Sequence, residues 1–243
     1  MKGIASDFDG TLYFGDIEGG YKKEDLKRIK EFQDKGHYFG ICTGRPLVGI
    51  EDNLKGKVDL DFYILTTGAL ILDKDKKVIF EQLIDEETML SIYNMYKDIT
   101  NIFIQGEDTV YTFKEEDVNL KQTVIKDIKD VKGKIYGFSL NTYSEENAER
   151  ICKEIKYYYH DLDAFQNKKY IDIVKKGCSK GHAVRKVKEL LNLDVIAGIG
   201  DNYNDISMLE SADVSFTFHD SPDAVKKVSN HIVHHLYESI DKL

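Results

Sequence analysis

The chain has 243 residues, of which 42% are hydrophobic, and its formal net charge is −9. This length and hydrophobic content allow one large buried core or two modest ones without disulfide support. The negative charge disfavours nucleic acid as a partner, because the lysines are scattered among acidic residues and form no basic stripe.

The cysteines and the apolar segments indicate a cytoplasmic protein. The three cysteines are far apart and form no CxxC pattern, which favours a reducing compartment and disfavours a zinc site. The longest near-apolar stretch, residues 63–72, is too short to cross a bilayer, and Asp7 interrupts any signal-peptide pattern. We therefore expect no membrane association, and no feature of the composition indicates an obligate protein partner.

The first third of the chain alternates between strand and helix patterns. A short apolar segment at 3–8 is followed by a turn, a helix predicted over 22–35, and two further strands at 38–42 and 62–65. Such alternation is typical of a parallel α/β sheet.

The pattern changes after residue 81 and returns near residue 179. Between these points the predicted elements are a helix at 86–97, a hairpin at 102–113, a charged stretch at 115–132, a strand at 135–140, a helix at 145–159 and strands at 164–166 and 170–174. The predicted architecture is an α/β core with a parallel sheet, residues 1–81 and 175–243, interrupted by an α+β domain at 82–174.

Two acids follow the first predicted strand, in the segment Asp7-Phe8-Asp9-Gly10-Thr11. One carboxylate of such a pair can attack a substrate or bind a metal while the other transfers protons. Gly10 permits a tight turn after the strand. An ordinary Asp-Gly turn explains the same dipeptide equally well, so this motif alone decides nothing.

A hydroxyl and a glycine amide follow the second predicted strand, at Thr43-Gly44-Arg45. This pairing suits hydrogen bonds to phosphate oxygens. Many ordinary loops also begin with Thr-Gly, and that alternative is the better one for this motif taken alone.

The third motif is Gly177-Cys178-Ser179-Lys180-Gly181, in which Ser179 is predicted to cap a helix and Lys180 to lie in its first turn. A cation at this end opposes the helix dipole. An anion facing Lys180 would offset that cost, although a surface lysine is the simpler alternative.

An oxygen-rich cluster follows the predicted strand at 195–199, in the segment Gly200-Asp201-Asn202-Tyr203-Asn204-Asp205. Carboxylate and amide oxygens suit Mg²⁺, which keeps several water or phosphate ligands. Asn204 or Asp205 could equally cap a helix. Because ligands of open parallel sheets collect at the carboxyl ends of the strands, we expect the four motifs to end core strands and to lie together.

Taken together, the four motifs resemble those of the haloacid dehalogenase superfamily, in their order and over the whole chain. The domain inserted between the second and third motifs and the string Ser179-Lys180-Gly181 resemble the Cof-type branch, whose cap is of the C2B type. The resemblance implies a Rossmann-like α/β core with an inserted α+β cap. It also implies a Mg²⁺-dependent phosphatase for a small phosphomonoester, such as a sugar phosphate. One departure is Thr67, where this branch is expected to have asparagine.

The resemblance implies a role for each motif residue. Asp7 is implied to be the nucleophile that forms an aspartyl-phosphate, and Asp9 the acid and base. The implied phosphate ligands are Thr43, Gly44 and Lys180, with Asn204 supporting Lys180 or the phosphate. The implied magnesium ligands are the Asp7 carboxylate, the Asp9 backbone carbonyl and Asp201, with Asp205 orienting the water ligands of the ion.

Four further residues are candidates for contact with the leaving group, namely Arg45, Lys168, Lys169 and Tyr170. Each could equally be a surface or packing residue. Two other functions remain open. One is a phosphosugar mutase of the same superfamily, which returns the phosphoryl group to a sugar. The other is a non-catalytic sensor of a phosphorylated metabolite, which is disfavoured because the catalytic motifs are intact.

Overall fold

The computed structural model describes residues 1–116 and 120–243. In chain order its strands are β1 (Lys2–Ser6), β2 (Tyr38–Cys42), β3 (Phe62–Leu65), β4 (Leu70–Asp73), β5 (Val78–Glu81), β6 (Asn101–Gly106), β7 (Val110–Thr112), β8 (Gln122–Val124), β9 (Ile135–Asn141), β10 (Leu162–Asn167), β11 (Tyr170–Lys175), β12 (Val195–Ile199), β13 (Val214–Phe218) and β14 (His231–Val233). Within the described residues these strands form two separate sheets.

The helices flank both sheets. They are α1 (Lys23–Asp34), α2 (Glu51–Leu54), α3 (Glu86–Tyr96), α4 (Glu145–Tyr158), α5 (Lys180–Leu190), α6 (Ile206–Ser211), α7 (Asp223–Val228) and α8 (Tyr237–Asp241). None of these helices, in the part of the chain that the structure describes, is long and apolar enough to cross a membrane.

The larger sheet has eight strands in the order β14-β13-β12-β1-β2-β3-β4-β5. The strands from β14 to β3 run parallel, and β4 and β5 add an antiparallel edge. The strand order reverses at β1, because β2 and β3 lie on one side of it and β12 to β14 on the other. In open α/β sheets the crevice at such a reversal is the usual ligand site.

Both faces of the larger sheet are buried, which explains its nearly continuous apolar strands. On one face, Ile4 of β1 packs in a cluster with Ile29 and Phe32 of α1. On the other face, Ala5 packs in a cluster with Val184 of α5. Successive residues of β1 thus point to opposite layers of helices, as strand geometry requires.

The smaller sheet has six strands in the order β10-β11-β9-β6-β7-β8. One face packs beneath α3 and α4, where Ile104, Phe138 and Ile171 share a buried cluster with Ile92 and Ile151. The residues that alternate with these along the strands belong to the opposite face. That inner face carries Phe103, Gln105, Ser139, Tyr170 and Asp172, and it borders the cavity described below.

The predicted α/β class with a parallel-sheet core is confirmed. The strands predicted at 38–42 and 62–65 form at those residues, and the helix predicted over 22–35 forms as α1. By contrast, β8 lies within the charged stretch for which the sequence predicts no strand. The boundaries at 81/82 and 174/175 stay a prediction, and the separation into two sheets is consistent with them.

Candidate active site

Three of the four sequence motifs lie where neighbouring parallel strands end. Asp7 follows β1, Thr43 follows β2, and Asp201 comes just after β12. Because β1 pairs with both β2 and β12, the three residues meet at one edge of the sheet. The fourth motif differs, since Lys180 begins α5 and follows β11 of the smaller sheet. The prediction that this motif ends a core strand is therefore wrong, and the helix brings Lys180 to the same edge.

Lys180 is a buried cation between two buried carboxylates. Its side chain is 1% exposed, and Nζ donates to Asp7 Oδ1 at 2.5 Å and to Asp205 Oδ1 at 2.6 Å. Burial disfavours its charge, but the two carboxylates together raise the pKa of Lys180 well above its ordinary value. Ser179 caps α5 by accepting from His182 N at 3.0 Å, as predicted. Lys180 is thus not a surface lysine.

The acidic cluster is the main electrostatic feature of the site. Asp7, Asp201 and Asp205 each place a carboxylate oxygen within 4.8 Å of the other two. Burial, followed by repulsion from Asp205, raises the pKa of Asp7 and of Asp201 above the ordinary value. Lys180 supplies one positive charge to the three carboxylates, so the cluster is short of positive charge. This set of oxygen donors fits a hard divalent cation such as Mg²⁺.

Asp205 is fully buried and holds the loop that presents Asp201. Its Oδ2 accepts from the backbone N of Asp201 and of Asn202, both at 3.0 Å, while Oδ1 accepts from Lys180. Gly200 permits this arrangement, because a Cβ added there would lie 2.5 Å from Asp205 Cγ. With both oxygens engaged, Asp205 positions Asp201 and Lys180.

The turn after β1 depends on Gly10. Its φ of +83° lies in the left-handed region that favours glycine. A Cβ added there would also lie 3.0 Å from Asp201 Oδ2, and the neighbouring Thr11 Oγ1 donates to Asp201 Oδ1 at 3.1 Å. The turn therefore packs directly against the Asp201 carboxylate. Beside it, the half-exposed side chain of Asp9 forms an ion pair with Arg45.

The loop after β2 lies between the two sheets. Thr43 is buried, and its Oγ1 accepts from Arg45 N at 3.2 Å. The Gly44 carbonyl accepts from Gln105 Nε2 of β6 at 3.3 Å. A Cβ added to Gly44 would lie 2.5 Å from Asp172 Oδ2 of β11. A larger residue here would displace the Asp172 carboxylate, because the smaller sheet approaches the loop so closely.

A cavity of about 870 Å³ separates the motifs from the inner face of the smaller sheet. Small-molecule sites usually measure ~300–1,000 Å³. The residues of the predicted site that line it are Asp7, Asp9, Thr43, Gly44, Arg45, Lys168, Lys169, Tyr170, Asp201 and Asn204. Lys180 and Asp205 are buried behind this wall. The structure thus places ten of the predicted site residues at the wall of one cavity and the other two behind that wall.

Among the cavity-lining residues that sequence reasoning missed are three polar residues of β6, β9 and β11, namely Gln105, Ser139 and Asp172. A signal for Asp172 does exist, because this acid stands between Ile171 and Ile173, which are both fully buried. In a strand, neighbours of this kind point to the opposite face. Only the tertiary structure shows that the face of Asp172 borders a cavity.

Comparisons with known proteins place this site in context. A sequence profile of the haloacid dehalogenase-like hydrolases matches residues 4–239. A 5-amino-6-(5-phospho-D-ribitylamino)uracil phosphatase of Bacillus subtilis is 24% identical over 235 residues, which cover 96% of this chain and 89% of that protein. A phosphoglycolate phosphatase of Sulfurisphaera tokodaii is 26% identical over 228 residues, which cover 93% of this chain and 85% of that protein.

The fold is shared with solved structures as well. The structure of a haloacid dehalogenase-like hydrolase from Bacillus subtilis superimposes with a TM-score of 0.87. The match covers 98% of this chain and 96% of the other, at 18% sequence identity. At that identity the likeness concerns the fold alone, and it extends over both sheets.

Proposed function

The chain belongs to the haloacid dehalogenase-like hydrolases, and we propose that it is a Mg²⁺-dependent phosphatase that hydrolyses a small phosphomonoester through an aspartyl-phosphate. The observation that carries this proposal is the contact of buried Lys180 with Asp7, beside Asp201, at the wall of a cavity. Fixed charges in a buried site stabilise charge that develops during a reaction far better than they would in water. Phosphoryl transfer is a reaction of that kind.

Asp7 is the proposed nucleophile. In the first step an oxygen of Asp7 attacks phosphorus, and the bond from phosphorus to the leaving oxygen breaks while Asp9 donates a proton to that oxygen. In the second step water attacks phosphorus, Asp9 accepts its proton, and the bond from phosphorus to Asp7 breaks. The products are an alcohol, inorganic phosphate and regenerated Asp7. Before the attack Lys180 favours the ionised form of Asp7, because it donates to that carboxylate.

Mg²⁺ is the proposed cofactor. It would be held by the Asp7 carboxylate, the Asp9 backbone carbonyl and Asp201, with Asp205 orienting its water ligands. When bound, the ion supplies the positive charge that the acidic cluster lacks and so permits an anionic phosphate to approach. The raised pKa values of Asp7 and Asp201, caused by burial and then by Asp205, support this need for a cation.

The phosphoryl oxygens are proposed to meet Thr43, the Gly44 amide and Lys180. Thr43 and Gly44 line the cavity together with Asp7, so an ester bound there lies within reach of the nucleophile. Asn204 lines the same cavity from the loop after β12 and is proposed to support Lys180 or the phosphate.

Residues 82–174 are proposed to form a cap domain on a core made of residues 1–81 and 175–243. The smaller sheet, which lies within 82–175, faces the motifs across the cavity, so a leaving group would meet its inner face. A cap that covers the cavity in this way would keep bulk water away while Asp7 attacks the phosphorus. Arg45, Lys168, Lys169 and Tyr170 line the cavity and remain proposed contacts of the leaving group.

The proposed substrate is a small phosphorylated metabolite, such as a sugar phosphate, which is also the expected partner. The two curated relatives are named for small phosphomonoesters, and this supports the class. All three cysteines are buried and unbridged, which supports a reducing, cytoplasmic location.

Release of inorganic phosphate from a panel of small phosphomonoesters tests the proposal. We expect Mg²⁺-dependent release that EDTA abolishes and added Mg²⁺ restores, and no release by Asp7→Asn. Asp98→Asn, which changes an exposed acid just after α3, is the matched control and should retain full activity. Full activity of Asp7→Asn would refute the nucleophile assignment. Isomerisation of glucose or mannose phosphates without free phosphate would favour the mutase instead, and binding without turnover would favour the sensor.

A further inference from the structure

The inner face of the smaller sheet carries a row of polar side chains at the cavity. Asp172 of β11 lies opposite Ser139 of β9, and Gln105 of β6 lies opposite Gly137 of the same central strand. All three polar side chains border the cavity. We call Gln105, Ser139 and Asp172 the polar wall.

Asp172 presents a carboxylate at the deep end of this wall. The residue is only partly exposed, although it lines the cavity. Its Oδ2 lies 3.5 Å from Thr67 Oγ1 and occupies the space that a side chain at position 44 would need. Burial raises its pKa to about 6, while hydrogen bonding by Ser139, the charge of Lys180 and hydrogen bonding by Thr67 lower it to a smaller extent. A partly buried carboxylate reduces the stability of the folded protein. Its presence here points to a ligand that donates hydrogen bonds to it.

Gln105 adds an acceptor to the wall. Its side chain is 4% exposed, and Nε2 donates to the Gly44 carbonyl. A carbonyl can only accept, so the amide must present its NH₂ group to Gly44 and its oxygen to the other side. That Oε1 is enclosed and has no hydrogen-bond partner among the described residues. A hydroxyl group of a ligand would satisfy it after a small rotation of the side chain, since a buried acceptor without a partner costs free energy.

We propose that Asp172 and Gln105 accept hydrogen bonds from hydroxyl groups of the leaving group, so that the enzyme selects polyhydroxylated phosphomonoesters. This inference rests on the proposed function. Both residues lie next to Gly44, whose amide is proposed to hold the phosphoryl group. The hydroxyl groups that donate to Gln105 and Asp172 would therefore lie on the carbon atoms nearest the ester. A carboxylate at that position would be repelled by Asp172. The wall therefore favours sugar or polyol phosphates over esters of hydroxy acids.

The test compares three esters with the wild-type protein in Mg²⁺. They are ribitol 5-phosphate, pentyl phosphate, which has the same chain length without hydroxyls, and phosphoglycolate. We expect kcat/KM for ribitol 5-phosphate to exceed that for each of the others by roughly 10- to 100-fold, which is the usual effect of an unpaired buried polar group. Equal values for ribitol 5-phosphate and pentyl phosphate would overturn the inference.

Variants assign the selectivity to the wall. Gln105→Met and Asp172→Asn should each lower the ratio of kcat/KM for ribitol 5-phosphate to that for pentyl phosphate by about tenfold. Gln33→Met is the matched control, because Gln33 of α1 also donates from Nε2 to a backbone carbonyl, that of Asp59 at 3.0 Å. Ratios that stay at the wild-type value in both wall variants would contradict the assignment. If the wild type released no phosphate from any ester, including p-nitrophenyl phosphate, the proposed function would fail, and this inference with it.

Discussion

Arg45 binds the Asp9 carboxylate with two parallel hydrogen bonds, from Nε to Oδ2 and from Nη2 to Oδ1, both at 2.7 Å. Both oxygens of the proposed acid and base are therefore engaged. Arg45 also donates from Nη1 to the Gly49 carbonyl at 3.1 Å, which fixes the guanidinium at the cavity wall. Because a phosphate dianion competes for guanidinium groups, substrate binding would release Asp9 for proton transfer.

Arg45→Gln should weaken substrate capture more than folding. The guanidinium is a cation at the wall of a cavity that must attract an anion, so we expect kcat/KM to fall by about threefold to tenfold and to lose part of its dependence on ionic strength. Rates measured between low and high salt check this. Arg185→Gln, which changes an arginine of α5 bonded to Ser211, should keep the wild-type dependence. The same salt dependence in both variants would contradict a role for Arg45 in capture.

Lys180→Met should destabilise the fold as well as abolish phosphate release. The substitution leaves the buried carboxylates of Asp7 and Asp205 without their shared cation, at a cost of about 3–5 kcal/mol in the free energy of unfolding. Urea unfolding measures this cost. The matched control is Lys188→Met, which breaks the partly exposed pair with Asp213, and should cost about 0–1 kcal/mol. Equal losses of unfolding free energy in the two variants would show that the buried ion pairs of Lys180 stabilise the fold no more than the partly exposed pair of Lys188.

Asp172→Asn should stabilise the protein at high pH. Burial raises the pKa of Asp172 from 3.8 to about 6, so the folded state holds a proton that the unfolded state releases between these values. Stability due to this group is present below pH 4 and is lost as the pH rises through 6. Asparagine cannot ionise, so the variant should exceed the wild type by about 3 kcal/mol at pH 8 and match it near pH 4.

Unfolding by urea at both pH values, with Asp98→Asn as the exposed control, measures the effect of Asp172. A variant less stable than the wild type at pH 8 would mean that the Asp172 carboxylate is well satisfied in the folded protein. The Asp172 carboxylate would then not destabilise the folded protein, contrary to what we infer for the polar wall.

How far sequence reasoning reaches differs between the two sheets. The motifs around Asp7, Thr43 and Asp201 were predictable, because parallel strands bring their carboxyl ends to one edge and each motif follows a strand. Lys180 was recognisable as a cation in the first turn of a helix, where it opposes the helix dipole. Its distance to Asp7, however, depends on how α5 packs. The polar wall was not predictable. Gln105 and Asp172 acquire their role from the placement of one sheet over another, which no local pattern encodes.

Gly44→Ala should reveal the contact between the two sheets. The added Cβ would lie 2.5 Å from Asp172 Oδ2, so the Asp172 carboxylate must move or the loop after β2 must shift. We expect kcat/KM to fall by about tenfold or more, because small displacements of binding groups are costly. Gly15→Ala, where an added Cβ meets nothing within 4 Å, should change little.

A double-mutant cycle separates this clash from other effects of Gly44→Ala. In an Asp172→Ala background the space beside position 44 is free, so the same substitution should cost less stability. The coupling should amount to about 0.5–3 kcal/mol, as is usual for residues in contact. Strictly additive costs would mean that the two residues do not meet.

The proposed mechanism requires Asp7 to carry the phosphoryl group between substrate and water. Acid quenching during turnover, followed by digestion and mass spectrometry, tests it directly. With Mg²⁺ and an ester that the protein hydrolyses, we predict a phosphoryl group on the peptide that contains Asp7. The Asp9→Asn variant should accumulate more of it, because water attacks the aspartyl-phosphate more slowly when residue 9 cannot accept a proton. Rapid phosphate release without any phosphoryl group on Asp7, together with inversion of configuration at phosphorus, would contradict this mechanism.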